Sequence, residues 1–266
     1  MSNKVALITG ATSGIGAASA LEFAKRGYDL VLCGRRQDRL LEMSQRIKNM
    51  GLGNDVLAHV CDVNKRESLD DLMSVVRKRF LSVDVVYANA GFGVSGLVEK
   101  LSIDDFKRQF DTNIYGVLNT LYATLEDLKK SRGSFAVTGS AYSYFSAPRL
   151  APYCMSKFAI KALADTLYWE LAPHKIAVTL ICPGIIESEI RKIDNQGNLR
   201  EKAKDPAPAF LIMKADKAAV QIVNAIEKRK REKIITFHAK VAVLFNRLFP
   251  SLFSWISGFA QANYRK

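Results

Sequence analysis

Tyr153 and Lys157, in the run YCMSK, stand four residues apart. No other of the nine tyrosines has a lysine at that distance downstream. On a helix the two side chains would share a face. A free phenol titrates at about 10 and is a poor acid–base catalyst near neutrality. An ammonium group beside it favours the phenolate and lowers that value. By itself the spacing is also what a lysine-rich chain produces by chance, so its meaning depends on what else sits at compatible places.

A second chemical signal lies near the start of the chain. Residues 9–16, TGATSGIG, follow the apolar run VALIT, with glycines at 10, 14 and 16. Glycines at a strand-to-helix turn let the backbone bend tightly and approach a pyrophosphate. The following helix offers free N–H groups and the positive end of its dipole. The second apolar run ends CGRR, with no acid until Asp38. An acid here would accept hydrogen bonds from the adenosine ribose and favour NAD, whereas arginine would hold a 2′-phosphate and favour NADP. Arg35 and Arg36 therefore point to NADP(H).

The spacing TGxxxGIG, together with YxxxK, resembles the short-chain dehydrogenase/reductase family over roughly residues 4–190. The resemblance implies hydride transfer between a nicotinamide and a carbonyl or secondary alcohol. It assigns the proton donor to Tyr153 and pKa tuning and ribose binding to Lys157. It gives carbonyl orientation to Ser140, thirteen residues before the tyrosine, and relay support to Asn113 in DTNIYG. Cofactor contacts are implied at Gly10, Thr12, Ser13, Gly14, Ile15 and Gly16, and at Asp62–Val63 beside the adenine. Further contacts are implied at Asn89–Ala90–Gly91, the family's NAG, and at Pro183–Gly184, its PG turn. Ile186 and Ser188 follow that turn, and Ser188 stands where the family commonly has threonine. No metal is implied.

These residues need a scaffold. Seven short apolar runs alternate with amphipathic stretches: VALIT (5–9), DLVLC (29–33), DVLAHV (55–60), DVVYAN (84–89), SFAVTG (134–139), IAVTLIC (176–182) and KIITF (233–237). Near-continuous Val, Leu, Ile and Ala is the mark of strands covered on both faces. The expected fold is α/β: a single Rossmann-type, doubly wound, parallel seven-stranded sheet with helices on both faces. Residues 1–238 form the catalytic domain. Within it, residues 184–213 are polar and turn-rich, with Asn195, Gly197, Asn198, Pro206 and Pro208, and read as a substrate loop. Its end, Phe210–Met213, is apolar enough to close over a greasy ligand or to pack onto the body.

The four cysteines, at 33, 61, 154 and 182, are scattered and read as free thiols in a reducing compartment. No secretory signal and no membrane-length apolar run is evident, so the expected location is cytoplasmic. Net charge is +13, and residues 214–266 alone hold eleven basic and three acidic residues. Residues 239–266 read as a hydrophobic, basic helical extension. Val241, Leu244, Phe245 and Leu248 fit one face, Pro250 interrupts, and Leu252, Phe253, Trp255, Ile256 and Phe259 follow. Basic residues precede it (Lys228–Lys233) and end it (Arg265, Lys266). The pattern suits packing as a lid, a homodimer interface, or peripheral contact of residues 228–266 with an anionic membrane. It also resembles family members on membranes that act on steroids or lipid ketones, which implies an apolar small-molecule substrate. Nucleic acid is a poor fit, because the aromatics are not interleaved with the charges. A catalytically idle NADP(H)-binding sensor or scaffold is the competing class, but it would be free to lose Ser140, Tyr153 and Lys157.

Overall fold

The structure, a computed structural model, describes residues 3–200, 205 and 207–262, with side chains as far as residue 257. Pro206, Arg265 and Lys266 and the side chain of Phe259 lie outside the described residues. Seven strands form one sheet: β1 (Val5–Thr9), β2 (Asp29–Gly34), β3 (Val56–Val60), β4 (Val85–Ala88), β5 (Ser134–Thr138), β6 (Ala177–Cys182) and β7 (Glu232–Ile234). Their order is β3-β2-β1-β4-β5-β6-β7, and every pairing is parallel.

The apolar runs explain that arrangement. Along β1, Val5 and Leu7 join one core while Ala6 and Ile8 join the other. Along β4 the split is Val86 and Ala88 against Val85 and Tyr87. Side chains alternate across a strand, so a run apolar at every position can only rest between two layers of helices. One layer is α1 (Gly14–Lys25), α2 (Gln37–Lys48) and α7 (Ala215–Glu227), burying Phe23, Leu40, Ile47 and Ile222. The other is α3 (Arg66–Arg79), α5 (Gly116–Ser131) and α6 (Ala151–Glu170), burying Leu72, Leu121 and Ile160. A short α4 (Ile103–Phe110) runs through a π-helical turn, Asp111–Tyr115, into α5. Strand order reverses between β1 and β4, and a crevice for ligands opens outside the carboxyl ends of strands at such a switch point.

The expected final strand 233–237 is shorter than its sequence pattern. It ends at Ile234, and Thr236 instead caps α8 (Phe237–Leu248), accepting from the Ala239 N–H. Pro250 interrupts as expected by opening α9 (Pro250–Ala262), where its missing N–H costs nothing. The apolar face that the pattern selected on α8 is split: Phe245 packs against Phe253 and the rest turns outward. Ala239 and Val243 are buried, whereas Val241, Leu244 and Leu248 are exposed. No helix among the described residues is long and apolar enough to cross a membrane.

Residues 184–213 return to their starting point. Met213 N–H donates to Ile185 O and Glu187 N–H to Met213 O, while Asn195 exchanges two hydrogen bonds with the Ser95 backbone. The loop is thus clasped to the segment after β4. Met213 packs against the core, and Phe210 stays 86% exposed. All four cysteines are buried free thiols.

Candidate active site

The glycine turn after β1 is built for a close approach. Gly10 has φ +68°, a left-handed conformation that favours glycine, and a Cβ there would lie 2.9 Å from the Ala90 Cα. A Cβ on Gly16 would run into the Gly10 carbonyl oxygen. Ser13 is the N-cap of α1 but makes no side-chain cap, and the first turn carries no acid. The N-terminal N–H groups of this twelve-residue helix therefore lack a side-chain acceptor and face the crevice with the positive dipole end. This cradle fits the pyrophosphate of a dinucleotide, with Thr12 and Ile15 in the same turn.

Asn89 ties that turn to its neighbours. Its amide donates to Thr9 O (3.1 Å) and Gly10 O (3.4 Å), and its Oδ1 accepts from Thr138 (3.2 Å). The N–H groups of Asn89 and Ala90 both donate to Thr9 Oγ1 at 3.0 Å. One side chain thus locks the carboxyl ends of β1, β4 and β5. Gly91 follows, its α-carbon facing the Asn113 amide.

Arg35 and Arg36 behave differently. Arg35 is exposed. Arg36 donates to Thr12 Oγ1 (3.1 Å) and to Glu189 Oε2 (3.0 Å). Glu189, which sequence reasoning missed, belongs to the loop after β6 and so bridges the crevice to the glycine turn. Beside it, Ser188 would lie 3.0 Å from a Cβ on Gly14. Asp62 and Val63 follow β3; the Asp62 carboxylate accepts from Asn64 N–H, and Val63 is buried against Gly116. The Pro183 carbonyl accepts from Ala141 N–H, Gly184 abuts Thr236 and His238, and Ile186 is buried.

Tyr153 lies in the first turn of α6, close to Gly93, where an added Cβ would sit 3.5 Å from its Cδ2. The Ser140 hydroxyl is close enough to the Tyr153 phenol to favour its ionised form. Ser140 is itself fixed by Tyr142 N–H donating to its Oγ and by its own N–H donating to Ser143. Lys157, one turn on, is only 5% exposed; its Nζ lies 5.6 Å from the Tyr153 ring centroid and donates to Thr138 O at 2.8 Å. Asn113 sits in the π-helical turn, where its amide donates to Phe92 O and Ser156 Oγ and accepts from Phe92 N–H. π-Bulges recur where a helix must aim a functional residue. Its side chain thus braces the Phe92 backbone beside Gly91 and Gly93. The structure brings Ser140, Tyr153 and Lys157 together, with Asn113 joined to α6 through Ser156.

The electrostatics depart from the sequence expectation. The phenol is not depressed: burial pushes it up to about 12, and the nearby Ser140 hydroxyl is the largest opposing influence. Burial also lowers Lys157 to about 8. The Lys157 ammonium lies 5.6 Å from the ring centroid and is bonded to Thr138 O, and loss of water around the phenol prevails. A smaller contribution favouring the phenolate comes from Arg191, which the sequence did not flag. Arg191 is held by Asp205 (2.7 and 2.5 Å) and Ile186 O (2.9 Å). No spacing rule connects Thr138, Ser156, Glu189 or Arg191 to the site.

An aromatic row leads away from Tyr153. Tyr142 lies 6.2 Å from it, Phe145 lies 5.4 Å from Tyr142, and Phe253 of α9 lies 5.0 Å from Phe145. Asn246 of α8 donates to Tyr144 O. The C-terminal helices therefore form one wall beside the site.

The short chain dehydrogenase family model matches residues 4–199. The 11-beta-hydroxysteroid dehydrogenase A of Sesamum indicum is 32% identical, covering 96% of this chain and 75% of that one. An uncharacterized oxidoreductase of Listeria monocytogenes is 35% identical over 71% of this chain and 76% of its own. An alcohol dehydrogenase from the archaeon Thermococcus sibiricus, solved with 5-hydroxy-NADP, superposes with TM-score 0.76 at 32% identity, covering 88% and 96% of the two chains. The glycine cradle, the parallel sheet and these matches agree: the chain belongs to the short chain dehydrogenase family, oxidoreductases that exchange a hydride between a nicotinamide dinucleotide and an alcohol or carbonyl.

Proposed function

We propose that the protein is an NADP(H)-dependent reductase or dehydrogenase of a lipophilic ketone or secondary alcohol, with Tyr153 as general acid and base. The observation that carries this reading is the convergence of Ser140, Tyr153 and buried Lys157 at the carboxyl end of β5, beside the glycine cradle. A bound nicotinamide supplies the hydride in reduction and accepts it in oxidation. The chain's residues handle the oxygen and its proton. Ser140 holds the carbonyl oxygen, and Tyr153 passes it the phenolic proton as alkoxide character develops. Lys157 stabilises the phenolate left behind and binds the ribose. Asn113 keeps the Phe92 backbone and α6 in register.

The residues proposed to hold the dinucleotide are the cradle, Asn89–Gly91, Asp62, Val63, Pro183, Gly184, Ile186 and Ser188. Arg35 and Arg36 take the 2′-phosphate, since a guanidinium pairs with phosphate by charge-assisted hydrogen bonds and no acid replaces them at the end of β2. The aromatic row from Tyr153 to Phe253 supports an apolar substrate, as does likeness to relatives named as hydroxysteroid dehydrogenases. The test is NADPH oxidation across a panel of steroid and lipid ketones, with the reverse reaction on their alcohols. Tight NADPH binding without turnover on any of them would favour a cofactor sensor instead.

A further inference from the structure

α8 and α9 both leave large apolar side chains in solvent. Phe237, Val241, Leu244 and Leu248 of α8 are 50–79% exposed, and Phe249, Leu252, Trp255 and Ile256, in and just before α9, are 45–62% exposed. At about 100° per residue, positions 237, 241, 244 and 248 make one stripe, bordered on one side by Lys240 and Arg247. The helices are nevertheless firmly seated. Ala239 and Val243 are buried, Asn246 holds Tyr144 O, and Phe245 and Phe253 pack together at 6.0 Å. An ordered helix with an uncovered apolar stripe this long is a contact surface rather than an isolated exposed leucine.

The charges around it choose the partner. No Asp or Glu occurs from Lys233 to Lys266. Lys230, Lys233 and Lys240 have no carboxylate partner among the described residues, and Lys233 feels both of the others as like charges. Arg231, by contrast, is paired with Asp165. Two copies meeting through this face about a two-fold axis would bring the same cationic border together, and neither α8 nor α9 carries an acid to receive it. Lipid phosphates complement it directly, and lysine stems can reach them while the stripe enters the acyl boundary.

We propose that the outer face of α8 and α9 docks on an anionic lipid bilayer, its stripe about 5–10 Å into the headgroup boundary and its lysines on phosphate. The aromatic row behind it would then open toward lipid, so an apolar substrate could reach Tyr153 without crossing water. That consequence rests on the function proposed above; the docking does not, and its test needs no substrate.

The experiment is co-sedimentation of the full chain with vesicles of phosphatidylcholine alone or containing phosphatidylserine. Trp169→Phe leaves Trp255 as the sole tryptophan to report on insertion. The expected result is binding to anionic vesicles with a blue shift of Trp255, weakened by salt. Leu244→Ser with Leu248→Ser, and separately Lys240→Glu, should each lower partitioning on the order of tenfold. Leu81→Ser, an exposed leucine at the other end of the sheet, should not change it. Unchanged melting temperature and NADPH affinity in each variant establish that it is folded. The proposal is overturned if the wild type stays in the supernatant, or binds neutral and anionic vesicles equally. It is also overturned if light scattering shows a dimer that Leu244→Ser with Leu248→Ser splits into monomers, since the face would then be a subunit interface.

Discussion

Arg36 grips two segments at once: one guanidinium nitrogen lies 3.1 Å from Thr12 in the glycine turn and another 3.0 Å from Glu189 in the loop after β6. The guanidinium proposed for a 2′-phosphate is thus already neutralised by a carboxylate. The pair is 37% and 29% exposed, so it is worth only about 0.2–1 kcal/mol and can be exchanged for a phosphate. Glu189→Gln should therefore tighten NADPH by up to about fivefold and leave NADH nearly unchanged, read by fluorescence titration. Arg35→Ala with Arg36→Ala should weaken NADPH by roughly 10–100-fold and NADH far less. Equal losses for both cofactors would contradict the phosphate assignment.

Tyr153→Phe removes the transferable proton and keeps the ring. Turnover should fall by about 10²–10⁴-fold with NADPH affinity almost unchanged. Because burial holds the phenol protonated up to about 12, carbonyl reduction should be flat through neutral pH while alcohol oxidation climbs as pH rises. An oxidation rate independent of pH between 7 and 10 would sink Tyr153 as the base; stopped-flow absorbance of the nicotinamide measures both directions.

Lys157 carries a buried charge that folding disfavours. Its folded value of about 8 lies below the ordinary 10.5, so its stability contribution is poorest below pH 8 and recovers between 8 and 10.5. Lys157→Met should therefore raise thermal stability at pH 7, by about 1–3 kcal/mol after loss of the hydrogen bond to Thr138 O, while abolishing activity. Calorimetry of the variant against wild type checks it, and a lower melting temperature would refute it.

His238 links the C-terminal helices to the loop after β6. Its Nε2 accepts from Ile185 N–H at 3.1 Å, and burial lowers its pKa below 6.5. A group with a depressed folded value and a basic side chain takes up its proton more readily when unfolded. The stabilisation is complete above about 6.5 and is lost as pH falls from there through the folded value. Melting temperature should thus drop on acidification below 6.5, and His238→Gln should flatten that dependence. A wild-type melting curve insensitive to pH between 7 and 5 would exclude the linkage.

Much of the architecture was legible in one dimension because its signals are local. The apolar runs of β1 to β6 lie within two residues of their expected ends, since a strand buried on both faces must be apolar throughout. β7 ended early because the Thr236 side chain could cap a helix, a choice that depends on Gly184 being small enough to let it close in. The outward turn of Leu244 and Leu248 was equally hidden. The helical period groups apolar residues, but only contact with Tyr144 and Phe145 decides which group faces the body.

The sequence by itself determined the strand–helix alternation, the glycine turn and the Tyr153–Lys157 spacing, because each follows from backbone sterics or short-range periodicity, while Asn113 and Ser140 were reached through resemblance to the family. Only the tertiary structure decided how those groups ionise and what restrains them. The phenol rises instead of falling because packing removes water around it, and Lys157 finds its acceptor in β5, nineteen residues away. Arg36 meets Glu189 across 153 residues for the same reason. Desolvation and long-range charge depend on distances in space, which no pattern along the chain encodes.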